Sequence, residues 1–522
     1  MKKIVFFLFA VLWLPFSSLA QNTLGKFSGK VLDGNQENQP LTGATVAVKN
    51  ESTGYQTGTV TDLEGRFLLD ELPLGGPYIL EISFVGYAKK SFKGYTLNMR
   101  DHIIIPDVIL SVEATNLDEI VVHGFTYKST RDQIGTAARI NSETMTRMPT
   151  ASRNYQELAK LSPLTRGTDI AGYRGNMRGL SLDGVSNRMH MFGTTSEGAF
   201  PVSLESIREF EIVTNTYGVA DGRGGAGTIK AVSKSGTNSF HSSAWAYYTG
   251  GDLAGVEVNK DGEEWKKGEK GEYTNTQYGL NMSGPIIKDK LHFFISYDRF
   301  VQDFPWRAWD FDNEGATLED AENNMGITRQ NMETLTNHLV SNFGVPDVRQ
   351  YGTMNIQRTT DNAFGRLDWS INQIHSLMVR YNYHVYVQPD KKTSNGLFST
   401  QYKGRQRDHN ILFDLQSRFS HTIRNNLKFS YMNFKRTGNN VYPRVPVGLV
   451  RVASLLPNGE QDEVTVAFGN QYWAPETISS NDFQLIDNFS LVSGRVRWLF
   501  GTDIQYNMIH DLLTQIHLAD SE

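Results

Sequence analysis

Between residues 238 and 510 one pattern recurs nine times: a run of about ten residues in which apolar and polar side chains alternate. In 275–284, Tyr278, Leu280 and Met282 face one way while Gln277, Asn281 and Ser283 face the other. In 362–372, Leu367, Trp369 and Ile371 oppose Arg366, Asp368, Ser370 and Asn372. In 374–386, Leu377, Val379, Tyr381, Tyr383 and Val385 oppose Arg380, Asn382 and His384. The runs 291–301 and 409–420 behave alike, and 239–248, 425–436, 481–493 and 496–509 complete the set. After the first run the connections alternate between long ones (249–274, 302–361, 387–408, 437–480) and short ones (285–290, 373, 421–424, 493–495).

A soluble sandwich also alternates, but nothing in it sorts connections by length. An antiparallel transmembrane β-barrel does, with tight periplasmic turns and long outer loops. Each run is close to the roughly 9–11 residues that a tilted strand needs to cross a bilayer. A mean hydropathy of −0.39 excludes a bundle of membrane helices but suits a barrel, where only every second residue meets lipid. The net charge of −5, from 51 basic and 56 acidic residues, argues against nucleic acid as a partner. With no cysteine, disulfides, thiolate metal sites and cysteine nucleophiles are excluded. Residues 1–20 read as a signal peptide: Lys2 and Lys3, an apolar stretch from Ile4 to Phe16, then Ser18-Leu19-Ala20 with cleavage expected after Ala20.

Residues 26–110 carry short strand-like runs at 29–31, 44–48, 65–69 and 78–84. Turn clusters such as Asp33-Gly34, Thr42-Gly43 and Gly75-Gly76-Pro77 separate them, so an antiparallel β-sandwich is expected. Leu41-x-Gly43-Ala44-x-Val46, Thr61-Asp62-x-x-Gly65-x-Phe67 and Phe84-Val85-Gly86-Tyr87 resemble the carboxypeptidase-like regulatory domain, a seven-stranded type of sandwich. Asp62-x-Glu64-Gly65 hints at a calcium loop, but the other ligand positions are missing and a plain turn is expected. No histidine begins a His-x-x-Glu zinc pair, so no peptidase chemistry accompanies the resemblance.

Residues 116–236 look like an α+β plug. They open with Leu117, Asp118, Glu119, Ile120, Val121 and Val122, which resemble the TonB box of TonB-dependent receptors. Ile120 to Val122 favour an extended strand that can add to a partner's sheet edge, while Asp118 and Glu119 keep the free segment solvated. A short helix is expected at 154–161. Arg178-Gly179 followed by a strand ending in Asp183-Gly184-Val185, and Ser206 to Val213 after it, resemble the plug of that family. Gly224 to Gly236 is similar to the Oar-type group of these receptors. Gly222-x-Gly224-x-x-Gly227 matches a dinucleotide fingerprint in spacing, but no helix opens after it and 228–234 alternates like a strand.

The sequence is therefore read as mainly β in four parts: signal peptide 1–20, regulatory-like sandwich 26–110, box and plug 116–236, and partial barrel 238–522. The barrel is expected to be incomplete. Nine strands starting in the periplasm would leave the last one running outward, and so few strands enclose no room for a plug. An open sheet with edges at 239–248 and 496–509 is expected. No catalytic, cofactor or metal site is found, and no enzyme is expected. Arg366, Asp368, Arg380, His384, Asp414 and Arg418 are expected to face water inside the barrel, and Arg174, Arg178, Arg188 and His190 are candidate ligand contacts near the plug apex. The resemblance implies a TonB-dependent outer-membrane receptor for active uptake of a scarce solute such as a siderophore, an oligosaccharide or a peptide. Its partners would be TonB with the inner-membrane energising complex, and a surface lipoprotein. A non-transporting adhesion or sensing protein on the same fold is the alternative.

Overall fold

The computed structural model describes residues 24–112, 120–123, 127–128, 137–147, 162, 165–166, 169–170, 179–188, 202–213, 227–251, 253, 273–312, 317–390, 395–442, 444–471, 474–493 and 496–513. The expected signal peptide and the helix at 154–161 lie outside these residues.

In the first hundred residues burial follows the period of two that a sandwich requires. Strands β1 (Gly25–Asp33), β2 (Gln39–Pro40), β3 (Thr45–Asn50), β4 (Gln56–Val60), β5 (Arg66–Leu72), β6 (Gly75–Ser83), β7 (Lys90–Leu97), β8 (His102–Ile104) and β9 (Val108–Leu110) form two facing sheets. One sheet is built around β1, which pairs with β2 and β5 antiparallel and with β8 and β9 in parallel. The other runs β7-β6-β3-β4. Tyr78, Leu80 and Ile82 alternate inward along β6, and Phe27 sits edge-on to Tyr78 and Tyr95 at 5.9 and 5.5 Å. The Asp62 carboxylate accepts the Glu64 and Arg66 amides at 3.0 and 2.8 Å, with Gly65 at φ +70°. It closes a turn, as expected, and its Oδ1 is committed to backbone amides.

Two short strands then attach to this unit: β10 (Ile120–His123) pairs in parallel with β7, and β11 (Tyr127–Lys128) pairs antiparallel with β8.

The plug follows as β12 (Ala137–Asn141), α1 (Ser142–Arg147), β13 (Thr165–Arg166), β14 (Asp169–Ile170), β15 (Gly179–Leu182), β16 (Val185–Ser186), β17 (Ile207–Val213) and β18 (Thr228–Ser233). Its main sheet runs β12-β17-β18-β15-β16. Alternation predicts a half-buried β18, yet all six of its residues are buried. Ile229 and Ala231 pack into the plug core, which the barrel-wall residues Phe294 and Phe364 help to close. At the end of β18 the Ser233 hydroxyl and carbonyl meet the wall residue Arg366.

The wall is one sheet in chain order: β19 (His241–Gly250), β20 (Thr274–Ile287), β21 (Leu291–Ala308), β22 (Gly352–Ser370), β23 (His375–Asp390), β24 (Tyr402–Arg418), β25 (Ile423–Asn440), then β28 (Glu476–Ser493) and β29 (Val496–Leu513). The intervening β26 (Gly448–Leu455) and β27 (Gln461–Phe468) form a separate hairpin. All nine strands are antiparallel to their neighbours, and β19 and β29 are the two edges, as expected. The outward and inward faces follow the alternation. Leu367, Trp369 and Ile371 are 41, 44 and 38% exposed, whereas Arg366 turns toward the plug. No helix among the described residues is long and apolar enough to cross a membrane.

Several strands run far beyond the expected bounds. β21 continues to Ala308 and β22 begins at Gly352, and the connection between them is folded. It contains α2 (Leu318–Met325), with a Thr317–Asp320 capping box, and α3 (Arg329–Phe343). Gly326 and Gly344 end these helices at φ +69°, the left-handed conformation that glycine adopts without steric cost. Phe311, Met332, Leu339, Tyr351, Leu397, Val466 and Phe468 make a common core with the β26–β27 hairpin. The described parts of the connections 302–361, 387–408 and 437–480 thus form an ordered cap.

Candidate functional site

Asp183-Gly184 is the tip of the β15–β16 hairpin, with φ +53° and +81°. Two consecutive positive φ values are what a tight two-residue hairpin needs, and Asp-Gly supplies them cheaply. The turn points the Asp183 carboxylate at the barrel wall. It accepts the Ser233 amide at 2.8 Å and hydroxyl at 2.9 Å. Arg380 of β23 approaches to 3.2 Å and Arg366 of β22 to 3.7 Å. Lys428 of β25 donates to the Asp183 carbonyl at 2.9 Å and pairs with Asp414 at 3.2 Å. On the same hairpin Val185 packs with Met378, Leu412 and Ile486 of the wall. The Ser186 amide donates to Gln484, and Asn187 accepts from Asn410. One short hairpin therefore engages five wall strands, β22 to β25 and β28.

This corrects the expectation that the polar inward residues face water. Arg380 and His384 are 0% exposed. Arg380 is spent on Asp183 and Asn410, and His384 on Asp408 at 3.0 Å. A buried guanidinium is tolerable only when its charge and donors are matched, and here the plug supplies the carboxylate.

The regulatory-like sandwich sits at the short-turn end of the wall, opposite the cap. Arg418, at the end of β24, donates to Thr57 Oγ at 2.6 Å and to the carbonyls of Asp70 and Glu71 at 3.2 and 2.6 Å, and its guanidinium lies 5.4 Å from the Tyr55 ring. Arg424, at the start of β25, donates to the Asp70 carbonyl at 2.5 Å. The Asn238 amide donates to the Ser52 carbonyl at 2.7 Å. Toward the plug, the Met99 amide donates to Glu209 at 2.6 Å, and Arg139 bridges Asp101 and Glu211 at 3.0 and 3.1 Å. Burial pushes the Glu209 carboxyl up, and the Met99 amide and Arg139 draw it back. A cavity of about 130 Å³ remains where sandwich, plug and wall meet, lined by Tyr55, Asp183, Arg208, His292, Arg366 and Asp414.

Of the box, Leu117, Asp118 and Glu119 lie outside the described residues. Ile120, Val121 and Val122 form β10, laid along Lys90 to Phe92 of β7. The sequence predicts an unpacked tether; the structure pairs its second half with the sandwich. Of the candidate ligand contacts, Arg174, Arg178 and His190 lie outside the described residues, and Arg188 is half-buried just past β16. The residues that sequence reasoning missed are Asp183, Lys428 and Arg424. Their signal was the Asp-Gly tip and an inward basic residue on neighbouring strands, neither of which reveals its partner. No cluster of His, Asp and Glu able to hold a metal occurs among the described residues.

Comparison with known proteins places this geometry. Residues 26–111 match the carboxypeptidase regulatory-like domain, and residues 232–305 and 318–516 match the outer membrane beta barrel domain. The chain is 27% identical over 377 residues to the TonB-dependent transporter Oar of Myxococcus xanthus, covering 68% of this chain and 33% of that one. It is 29% identical over 191 residues to the TonB-dependent receptor SusC of Bacteroides thetaiotaomicron, covering 36% and 17%. Among solved structures it resembles the outer membrane transporter YddB from Escherichia coli, with a TM-score of 0.50 at 11% identity, covering 71% of this chain and 48% of that one. The chain spans about a third or less of the length of these two curated relatives.

Proposed function

Because the chain belongs to the outer membrane beta barrel domain family and carries a carboxypeptidase regulatory-like domain ahead of the barrel, we propose that it acts in TonB-dependent uptake of a scarce solute across the outer membrane. The observation that carries this reading is the plug hairpin latched to five wall strands by Asp183, Lys428 and their partners. A wall lined with buried charge and matched to a separate body is suited to a pore that must stay shut until work is done on it. The reading assigns Leu117 to Val122 as the box captured by TonB, with the inner-membrane complex as the energy source. The named relatives Oar and SusC, both TonB-dependent, support TonB as the partner.

The ligand class is a siderophore, an oligosaccharide or a peptide. Binding falls to the cap and the plug apex, with Arg174, Arg178, Arg188 and His190 as its polar contacts. A surface lipoprotein is a further partner in this scheme, and residues 1–20 serve as the cleaved export signal. The test is growth of a deletion strain on a panel of iron sources, glycans and peptides as sole nutrients. Loss of growth on one class, restored by the gene, supports uptake. Normal growth on every class, with lost surface attachment, favours adhesion.

A further inference from the structure

We propose that the regulatory-like domain holds the box strand as the fifth strand of its own sheet, so that energy coupling begins when TonB strips that strand from β7. The inference rests on the reading of 117–122 as the TonB box. β10 lies parallel to β7 in the register Ile120↔Lys90, Val121↔Ser91, Val122↔Phe92 and His123↔Lys93. Three of these four residues are the second half of the box. Among the described residues the sheet order β10-β7-β6-β3-β4 leaves β6 as the only other neighbour of β7. Without β10, β7 would be an open edge, a template for strand addition. The box thus occupies the kind of edge that it would seek on TonB, using the same backbone groups.

The grip is double. After three intervening residues the chain pairs again, this time with the opposite sheet, through Tyr127↔Ile104 and Lys128↔Ile103. The sandwich therefore clasps this segment across both sheets. Nor is the sandwich free to follow a pulled box, because Arg418 and Arg424 tie it to the wall and Glu209 ties it to the plug. A pull on 117–122 loads β10 first and reaches the plug only once β10 has left β7 and β11 has left β8.

The chain has no cysteine, so an introduced pair is a clean probe. Lys93→Cys with His123→Cys joins two residues paired in the register and leaves residues 117–122 unchanged. Neighbouring strands lie about 4.7–4.9 Å apart, inside the 4.4–6.8 Å window for a disulfide. Lys89→Cys with His123→Cys is the mismatched control, about 13 Å out of register at 3.3 Å per residue. Oxidation with copper-phenanthroline in native membranes should link the matched pair and not the control. The oxidised full-length protein should bind the purified periplasmic domain of its TonB at least tenfold more weakly than the reduced form, with reductant restoring binding. No disulfide in the matched pair, or equal linking in the control, overturns the docking whatever TonB does. A disulfide whose oxidised form binds TonB as tightly as the reduced form overturns the competition, and means that TonB adds to the outer edge of β10. A reduced protein that never binds TonB overturns the box reading, and this inference with it.

Discussion

Asp183 at the tip of the plug hairpin and Arg380 on the wall meet at 3.2 Å, both essentially buried, so the plug completes a charge that the wall cannot satisfy alone. Asp183→Asn keeps the side-chain shape and the tolerance of positive φ but removes the charge. It should cost about 3–5 kcal/mol at the junction, the usual penalty for stranding a buried charge. Cells carrying it should become sensitive to large antibiotics that the outer membrane excludes. Adding Arg380→Met should recover part of the barrier. Unchanged sensitivity in Asp183→Asn would mean that the latch does not hold the plug.

The two faces of the wall predict an asymmetry between adjacent residues. Leu280 is 53% exposed on the outer face, several residues from the turn that follows β20, while Asn281 lines an inner cavity of about 310 Å³. Leu280→Arg should cost about 2–4 kcal/mol of assembly energy, and Asn281→Arg far less. Trp369, whose alternation marks the same outer face, is next to the end of β22. Trp369→Arg should therefore fall toward the roughly 0–1 kcal/mol expected near an interface. Heat-modified mobility and membrane yield measure all three. Equal effects at 280 and 281 would place the register one residue off.

The cap should loosen in acid. Asp312 accepts from Arg329 at 2.6 Å and also from Arg349, and these two partners hold its carboxyl below the usual carboxylate range. A depressed pKa contributes stability that is present above the unfolded value near 3.9 and is lost as pH falls through the lower folded value. Asp312→Asn should remove this acid-side loss and loosen the cap at neutral pH by a small amount, since the pair is half-exposed. Proteolysis of the cap between pH 3 and 7 follows both effects.

Arg418→Ala should free the sandwich from the wall, because the guanidinium supplies three hydrogen bonds to Thr57, Asp70 and Glu71. Bonds to a charged donor contribute about 1.5–3 kcal/mol each. Hydrogen exchange across 55–72 should quicken by at least tenfold in the membrane-inserted protein, with no change in the wall strands.

The wall was legible because a bilayer imposes one rule on every strand: Leu367 and Trp369 must face lipid while Arg366 and Asp368 face inward. The cap was not. Its helices carried readable signals, the Thr317–Asp320 capping box and the closing Gly326 and Gly344, but their apolar residues pack on a distant hairpin and give no barrel period. β18 hid its inner role because it keeps a strand's alternation although both of its faces are buried, with Ser233 at its end meeting Arg366 of the wall. The resting place of Ile120 to Val122 was invisible for another reason. A parallel edge pairing depends on which strand of another domain lies open, and only the assembled sandwich shows that β7 does.

The most direct test is Val121→Pro. Proline removes a backbone donor and fixes φ, so the segment can no longer add as a regular strand. In protein that inserts normally, as judged by surface labelling and heat-modified mobility, solute uptake and crosslinking to TonB should both disappear. Full uptake by a correctly inserted Val121→Pro protein would contradict the account.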